Sequence, residues 1–233
     1  PRLLPPFAVR GVLWWQGEDD QGMGLAYEPL QRCLIRSWRR QLGDERLPFL
    51  IVQLPTYAEK AGGAGQTPGI HVLREAQRRC LDEPATGLVT TIDLFAPGGI
   101  HPENKQAYAA RLLRLAQALA YGESVEGQGP HPVALLPQAG VMRVRFRGCD
   151  TGLRSSEPAI PGFELAGEDR RFVAATATIV APDTIELRAP GLAAPQQVRY
   201  AFAPNPVTGL YGGDLPAVPF ASDITPVGST SRQ

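Results

Sequence analysis

Residues 11–20 read GVLWWQGEDD: an apolar run ends in Trp14 and Trp15, then turns at once into an amide, a glycine and three carboxylates, Gln16 to Asp20. An amide side chain can donate a hydrogen bond to an oxyanion, and a glycine beside it lets the backbone approach a ligand closely. Far along the chain, His101 stands in GGIHPENK (98–105). Imidazole suits general-base work near neutral pH. An oxyanion donor and a base are two parts of the machinery of acyl transfer. Each also has a plainer reading: a solvated turn after a strand, and a surface histidine that caps a helix. His71, at a helix start, and His131, between Gly-Pro and Pro in a turn, are weaker candidates.

The elements that must position these residues alternate strand and helix. FAVRGVLWW (7–15), PFLIVQL (48–54) and GLVTTID (87–93) are short apolar runs suited to buried strands. Between them, Leu30, Leu34, Trp38 and Leu42 recur at helical spacing, and IHVLREAQRRCLD (70–82) reads as a second helix. Tyr108, Leu112, Leu115 and Leu119 line a third, with Pro102 suited to its first position and Glu103 to its positively polarised first turn. A helix starting there would favour neutral imidazole at His101, the form a base needs. The Gly- and Ala-rich YAEKAGGAGQTPG (57–69) is long enough for a functional or mobile surface loop. The order β-α-β-α-β-α implies a parallel sheet covered on both faces. Ligands of such sheets sit at the carboxyl ends of the strands. Gln16 to Asp20 follow the first strand and the loop 94–101 follows the third, so one sheet edge carries both clusters. Adjacent strand residues point to opposite faces, so at most one of Trp14 and Trp15 lines a site there.

The pattern changes near Tyr121. VMRVRFRG (141–148), RFVAATATIV (171–180), DTIELRAP (183–190) and QQVRYAFAP (196–204) alternate between Gly- and Pro-rich turns and predict an antiparallel β-domain. The division expected is 1–122 for the α/β part and 123–233 for the β-rich part.

Charge is balanced, 23 basic against 23 acidic residues, which argues against a nucleic-acid or anionic-membrane partner. No apolar run is long enough to span a membrane. Cys33, Cys80 and Cys149 have no metal-ligand spacing, and Cys33 and Cys80 fall in helical patterns that favour buried free thiols. The chain opens on Pro1, with methionines only at 23 and 142, as a processed chain or a piece of a longer one would.

Five segments then carry a likeness, in order along the chain. RGVLWWQGEDD, LREAQRRCLDEPATGLVTTIDL (73–94) and IHPENKQAYAARLLRLAQALAYG (100–122) resemble the second half of the catalytic domain of sialate O-acetylesterases. GFELAGEDRRFVAATATI (162–179) and VRYAFAPNPVTGLYGGDLPAVPF (198–220) resemble the β-domain that follows it. These enzymes are SGNH hydrolases of the carbohydrate-esterase branch, which also includes acetyl xylan esterases. The resemblance implies an incomplete SGNH-hydrolase domain, flavodoxin-like and three-layered, followed by an antiparallel β-sandwich-like domain. It implies an acyl-enzyme mechanism without metal or cofactor on O-acetylated sugars, sialic acids first and acetylated polysaccharides second. A periplasmic or secreted location goes with it.

Residue by residue, the resemblance gives Gln16 and Gly17 to an oxyanion hole and His101 to the base that activates a serine. It makes Glu18 a loop anchor or hydrogen-bond partner, and puts Trp15 and Asp19 against the substrate. The sequence departs from the family where Trp15 replaces a tyrosine and Asp19 and Asp20 replace serine and asparagine. Pro97, Gly98, Gly99 and Ile100 also stand where an acid usually precedes the histidine. A loop carbonyl, Glu18 or Asp93 would then orient the imidazole. The family's Gly-Asp-Ser block is missing: Ser37 lies in a helix, and Ser124, Ser155, Ser156, Ser222, Ser229 and Ser231 lie in the β-half or tail. The expectation is a fragment, inactive alone, with an exposed sheet edge where opening strands would pair. A non-catalytic carbohydrate-binding protein is the alternative.

Overall fold

The computed structural model describes residues 8–56, 69–94, 101–102 and 104–223. The loop 57–68 and Pro97 to Ile100 lie outside the described residues. Three strands, β1 (Val12–Trp14), β2 (Phe49–Val52) and β3 (Thr86–Val89), pair in that order and all in parallel, Val12 beside Phe49 and Phe49 beside Thr86. All four residues of β2 are buried, as an unbroken apolar run requires of a strand covered on both faces. Helix α1 (Tyr27–Leu42) packs Ile35 with Val12, Phe49, Ile51 and Leu88 on one face. Helix α3 (Gln106–Ala120) packs Tyr108 and Leu115 with Leu50, Val52 and Val89 on the other. Helix α2 (Ile70–Arg79) lies beside α1. Three layers result, with the strand ends pointing one way.

Several elements differ from the sequence reading. Leu30 is 54% exposed, and α1 instead buries Tyr27, Gln31, Ile35 and Arg39, with Leu34, Trp38 and Leu42 partly covered. Arg39 explains the rotation: its guanidinium donates to the carbonyls of Leu47, Pro84 and Ala85 beneath the sheet. The same rotation leaves Cys33 exposed, while Cys80 is buried. β1 is shorter than the apolar run, and a 3-10 helix, Glu18–Ala26, succeeds it. Helix α3 begins at Gln106, four residues after Pro102. Asn104 Oδ1 accepts the Gln106 N–H at 3.0 Å, a turn that competes with helix start. His101 therefore does not abut a helix terminus, contrary to the expectation that a helix start favours its neutral form.

Among the described residues the regular elements of the second half are all strands: β4 (His131–Gln138), β5 (Val141–Arg147), β6 (Leu153–Ser155), β7 (Phe163–Ala166), β8 (Val173–Ala174), β9 (Thr176–Ala181), β10 (Thr184–Arg188), β11 (Gln197–Tyr200), β12 (Leu210–Gly212), β13 (Leu215–Pro216) and β14 (Phe220–Ala221). His131, read as a turn residue, opens β4, whose pairing with β5 is irregular between Pro132 and Ala134. Sheet β4-β5-β10-β9 contributes Met142, Val144, Phe146, Ile185 and Leu187 to one core with Phe163, Leu165, Val198, Tyr200 and Phe220 of sheet β14-β11-β7-β8. β6, β12 and β13 form a third, small sheet.

The halves interlock. Val218 enters the α/β core, Arg74 of α2 donates to the carbonyls of Ala203 and Pro204, and Gln128 Oε1 accepts the N–H of Leu88 on β3 at 3.1 Å.

Candidate active site

β1 ends at Trp14, and the 3-10 helix beyond it accounts for much of the polar cluster. Glu18, Asp19 and Asp20 occupy the first turn of that helix, where carboxylates meet the positive end of the aligned peptides. Asp19 is exposed and Asp20 half-buried. Gly17 precedes the helix at φ 139°, ψ −7°, a conformation that favours glycine.

The two tryptophans divide as adjacent strand-end residues must. Trp14 packs into the core against Trp38 and Phe49. Trp15 turns the other way and stacks on Tyr108 of α3, with ring centroids 4.8 Å apart and planes 19° apart. Its indole N–H donates to Glu18 Oε1 at 3.0 Å. Lys105 Nζ sits 5.1 Å from the Trp15 ring centroid, within cation–π range, and donates to the Pro102 carbonyl at 2.8 Å. Trp15, Glu18, His101, Pro102 and Lys105 surround one cavity of about 280 Å³. The strand-end cluster and the histidine therefore meet.

Gln16 lies just outside that lining. Its amide N–H₂ donates to Asp20 Oδ2 at 2.5 Å, and its amide oxygen accepts from Tyr27 O–H at 2.8 Å. Burial raises the Tyr27 pKa above its ordinary 10, so the phenol stays protonated and donating at neutral pH. Gln77 Nε2 donates to the Gln16 main-chain carbonyl at 3.2 Å, while Gln77 Oε1 accepts the Leu54 N–H. The amide is fixed, with one N–H of its two left to donate.

Of the groups expected to orient His101, the loop carbonyls lie outside the described residues. Asp93 is taken by Arg111, which donates to both of its oxygens at 2.6 and 2.7 Å and also to the Thr90 carbonyl. Glu18 shares the cavity with His101. Tyr108 O–H donates to the Leu94 carbonyl at 2.9 Å, which ties α3 to the segment that follows β3 and holds the stacking partner of Trp15 in place.

The other histidines are elsewhere. His71 packs edge-on against Phe202 at the junction of the halves. His131 is buried among Gln128, Gly129 and Arg147. Among the described residues no group of three or more His, Cys, Asp or Glu is placed to hold a metal ion, and no described helix is long and apolar enough to cross a membrane. Sequence reasoning missed Lys105, Tyr108, Tyr27 and Gln77 as site residues. Lys105, four residues beyond His101, had a spacing cue; the others meet the site through distant elements.

Comparisons with known proteins agree with one another. The model of a carbohydrate esterase family, sialic acid-specific acetylesterase, matches residues 4–121. The sialate O-acetylesterase of Mus musculus is 32% identical over 164 residues, 61% of this chain and 30% of that protein. That of Homo sapiens is 32% identical over 156 residues, 59% and 30%. A solved carbohydrate acetylesterase from Xanthomonas citri aligns with a TM-score of 0.86 at 37% identity, over 95% of this chain and 52% of its own. The chain thus spans about a third of the mammalian relatives' length and about half of the bacterial one's. The structural likeness extends over both halves, consistent with part of an SGNH-type domain followed by an antiparallel β-domain.

Proposed function

The chain belongs to the carbohydrate esterase family of sialic acid-specific acetylesterases, and we propose that it forms one wall of the active site of a carbohydrate O-acetylesterase. The observation that carries this reading is the cavity at which Trp15, Glu18 and His101 meet from two strand ends. In the proposed reaction a serine from sequence outside these 233 residues attacks the acetyl carbonyl. His101 takes the serine proton and passes it to the departing sugar hydroxyl; water then releases acetate from the acyl-enzyme by the reverse roles. The remaining amide N–H of Gln16 and the Gly17 segment face the developing oxyanion. Glu18 orients the imidazole, while Trp15 and Asp19 border the sugar.

The domain division at about residue 122 is part of the same proposal, the first part carrying the chemistry and the second supporting it. Sialic acids are the first substrates to test and acetylated xylan the second. No described serine lines the cavity, and this favours one other reading, a non-catalytic sugar-binding protein.

The test joins this chain to the segment that precedes it and measures acetate release from O-acetylated sialic acid and from acetylated xylan. His101→Ala should lower kcat by about 10³-fold or more, and Gln16→Ala by about 10²-fold, without loss of folding. Wild-type rates in both variants would refute the assignment. Sugar binding without any acetate release would favour the non-catalytic reading.

A further inference from the structure

Strand β5 reads Val-Met-Arg-Val-Arg-Phe-Arg, and its alternation splits cleanly by face. Met142, Val144 and Phe146 enter the core, so Arg143, Arg145 and Arg147 stand together on the outer face, roughly 7 Å apart along the strand. Arg188 on neighbouring β10 joins them, since β10 buries Ile185 and Leu187 and turns Glu186 and Arg188 outward. β9 adds the exposed Thr176 and Thr178, opposite Arg188 and Glu186.

Glu186 is the one carboxylate among these outward positions, and Arg143 and Arg188 both donate to it. Arg145 and Arg147 form no ion pair with a described carboxylate, although both are exposed and Arg147 donates to His131. Several arginines elsewhere are ion-paired, Arg32 and Arg36 with Glu83, Arg111 with Asp93, Arg114 with Asp214 and Arg199 with Asp223, while others such as Arg40 and Arg46 are exposed singly away from this sheet. A protein of zero formal charge therefore gathers four arginines against one glutamate on an open sheet face.

We infer that this face, formed by the outward side chains of β5, β10 and β9, is a docking surface for an anionic polysaccharide whose carboxylates are taken by Arg143, Arg145, Arg147 and Arg188. One cation per roughly 7 Å suits a polymer with about one charge per sugar better than duplex DNA, which carries one charge per ~1.7 Å. These three strands turn no Trp, Tyr or Phe outward for stacking on sugar rings, so the attraction is ionic and screened by salt. The threonine hydroxyls can meet sugar hydroxyls. Choosing a glycan among polyanions rests on the esterase reading; the charge pattern does not.

The experiment immobilises the 233-residue chain and titrates polysialic acid, neutral unacetylated xylan and duplex DNA at low and high salt. Polysialic acid should bind, weaken steeply with salt, and lose on the order of tenfold in affinity in Arg143→Gln/Arg145→Gln, with a melting temperature within a few degrees of wild type. Arg188→Glu, on another strand, should weaken it similarly and keeps the test open if the double variant misfolds. Equal binding of xylan, tighter binding of DNA, or full affinity in these variants overturns the inference. So does loss of polymer binding in His101→Ala, which would place the polymer in the cavity. Loss of hydrolysis alone in that variant bears only on the esterase reading.

Discussion

Gly17 holds φ 139° directly against apolar neighbours. A Cβ at this position would lie 3.0 Å from Leu73 Cδ2 and 3.3 Å from Leu54 Cδ1. Gly17→Ala therefore combines backbone strain with overpacking and should destabilise the fold by about 2–4 kcal/mol. A urea titration checks this, read as a lower midpoint at unchanged slope; a loss under about 0.5 kcal/mol would mean that the turn relaxes freely. The glycine was legible as a position needing close approach, but a ligand was the expected neighbour. Leu54 and Leu73 give it a packing reason as well, and nothing local to residue 17 announces them. Gln16 teaches the same lesson. Its place after the strand was legible, while Tyr27 and Gln77, which fix its amide and carbonyl, come from α1 and α2. The aspartates that depart from the family's pattern gain a partial account: Asp20 accepts from Gln16, and both lie at the positive helix end.

β1 is an edge strand among the described residues, paired only with β2. Its Leu13 side chain is 60% exposed, with no lysine, proline or bulge in Val12–Trp14 to blunt the edge. Unpaired apolar edges template association. The chain alone should self-associate with rising concentration, and Leu13→Lys should shift sedimentation toward monomer while the melting temperature stays within a few degrees. A wild-type chain monomeric at every concentration would remove the edge as a contact. The strands of the α/β half were legible because unbroken apolar runs leave little choice of element. The start of α3 was not, because Asn104 caps a turn where Pro102 alone predicts a helix. In the β-half, two-residue strands such as β13 and β14 are too short for any period to register, and prolines hide β4. On α1, Leu34, Trp38 and Leu42 were legible as core-facing, whereas Leu30 and Arg39 were not, because a buried arginine satisfied by carbonyls mimics a surface residue.

At the scale of the whole molecule, the connector between α3 and β4 holds the two halves together through Gln128 and His131. Gln128 bridges Leu88 of β3 and the His131 ring, and His131 lies between Gly129 and Arg147. Arg147 N–H donates to His131 Nε2, an acceptor that only a neutral ring offers, while Nδ1 lies within reach of both the Gly129 carbonyl and the Gln128 amide. Burial, with Arg147 and Arg78 nearby, pushes its pKa from 6.5 down to about 4, against the opposing bond to Gly129. A folded-state pKa below the unfolded value means that the unfolded chain binds the proton first. Stability is then full above pH 6.5 and falls as pH drops toward 4, by at most about 3 kcal/mol. His71 acts in the same direction, lowered by burial and by Arg74 and Arg199 at the same junction. Glu83, bonded to Arg36, and Asp214, bonded to Arg114, have carboxyl pKa values below their ordinary range. They withdraw their contributions only at lower pH still, so the window between about 6.5 and 4.5 isolates the histidines. Chemical denaturation at about pH 7 and about pH 4.5 should show wild type losing most of this margin, and His131→Gln losing about half as much or less. His71→Gln separates the second contribution. A variant at His131 with the full wild-type acid sensitivity would mean that the junction does not open by protonation there.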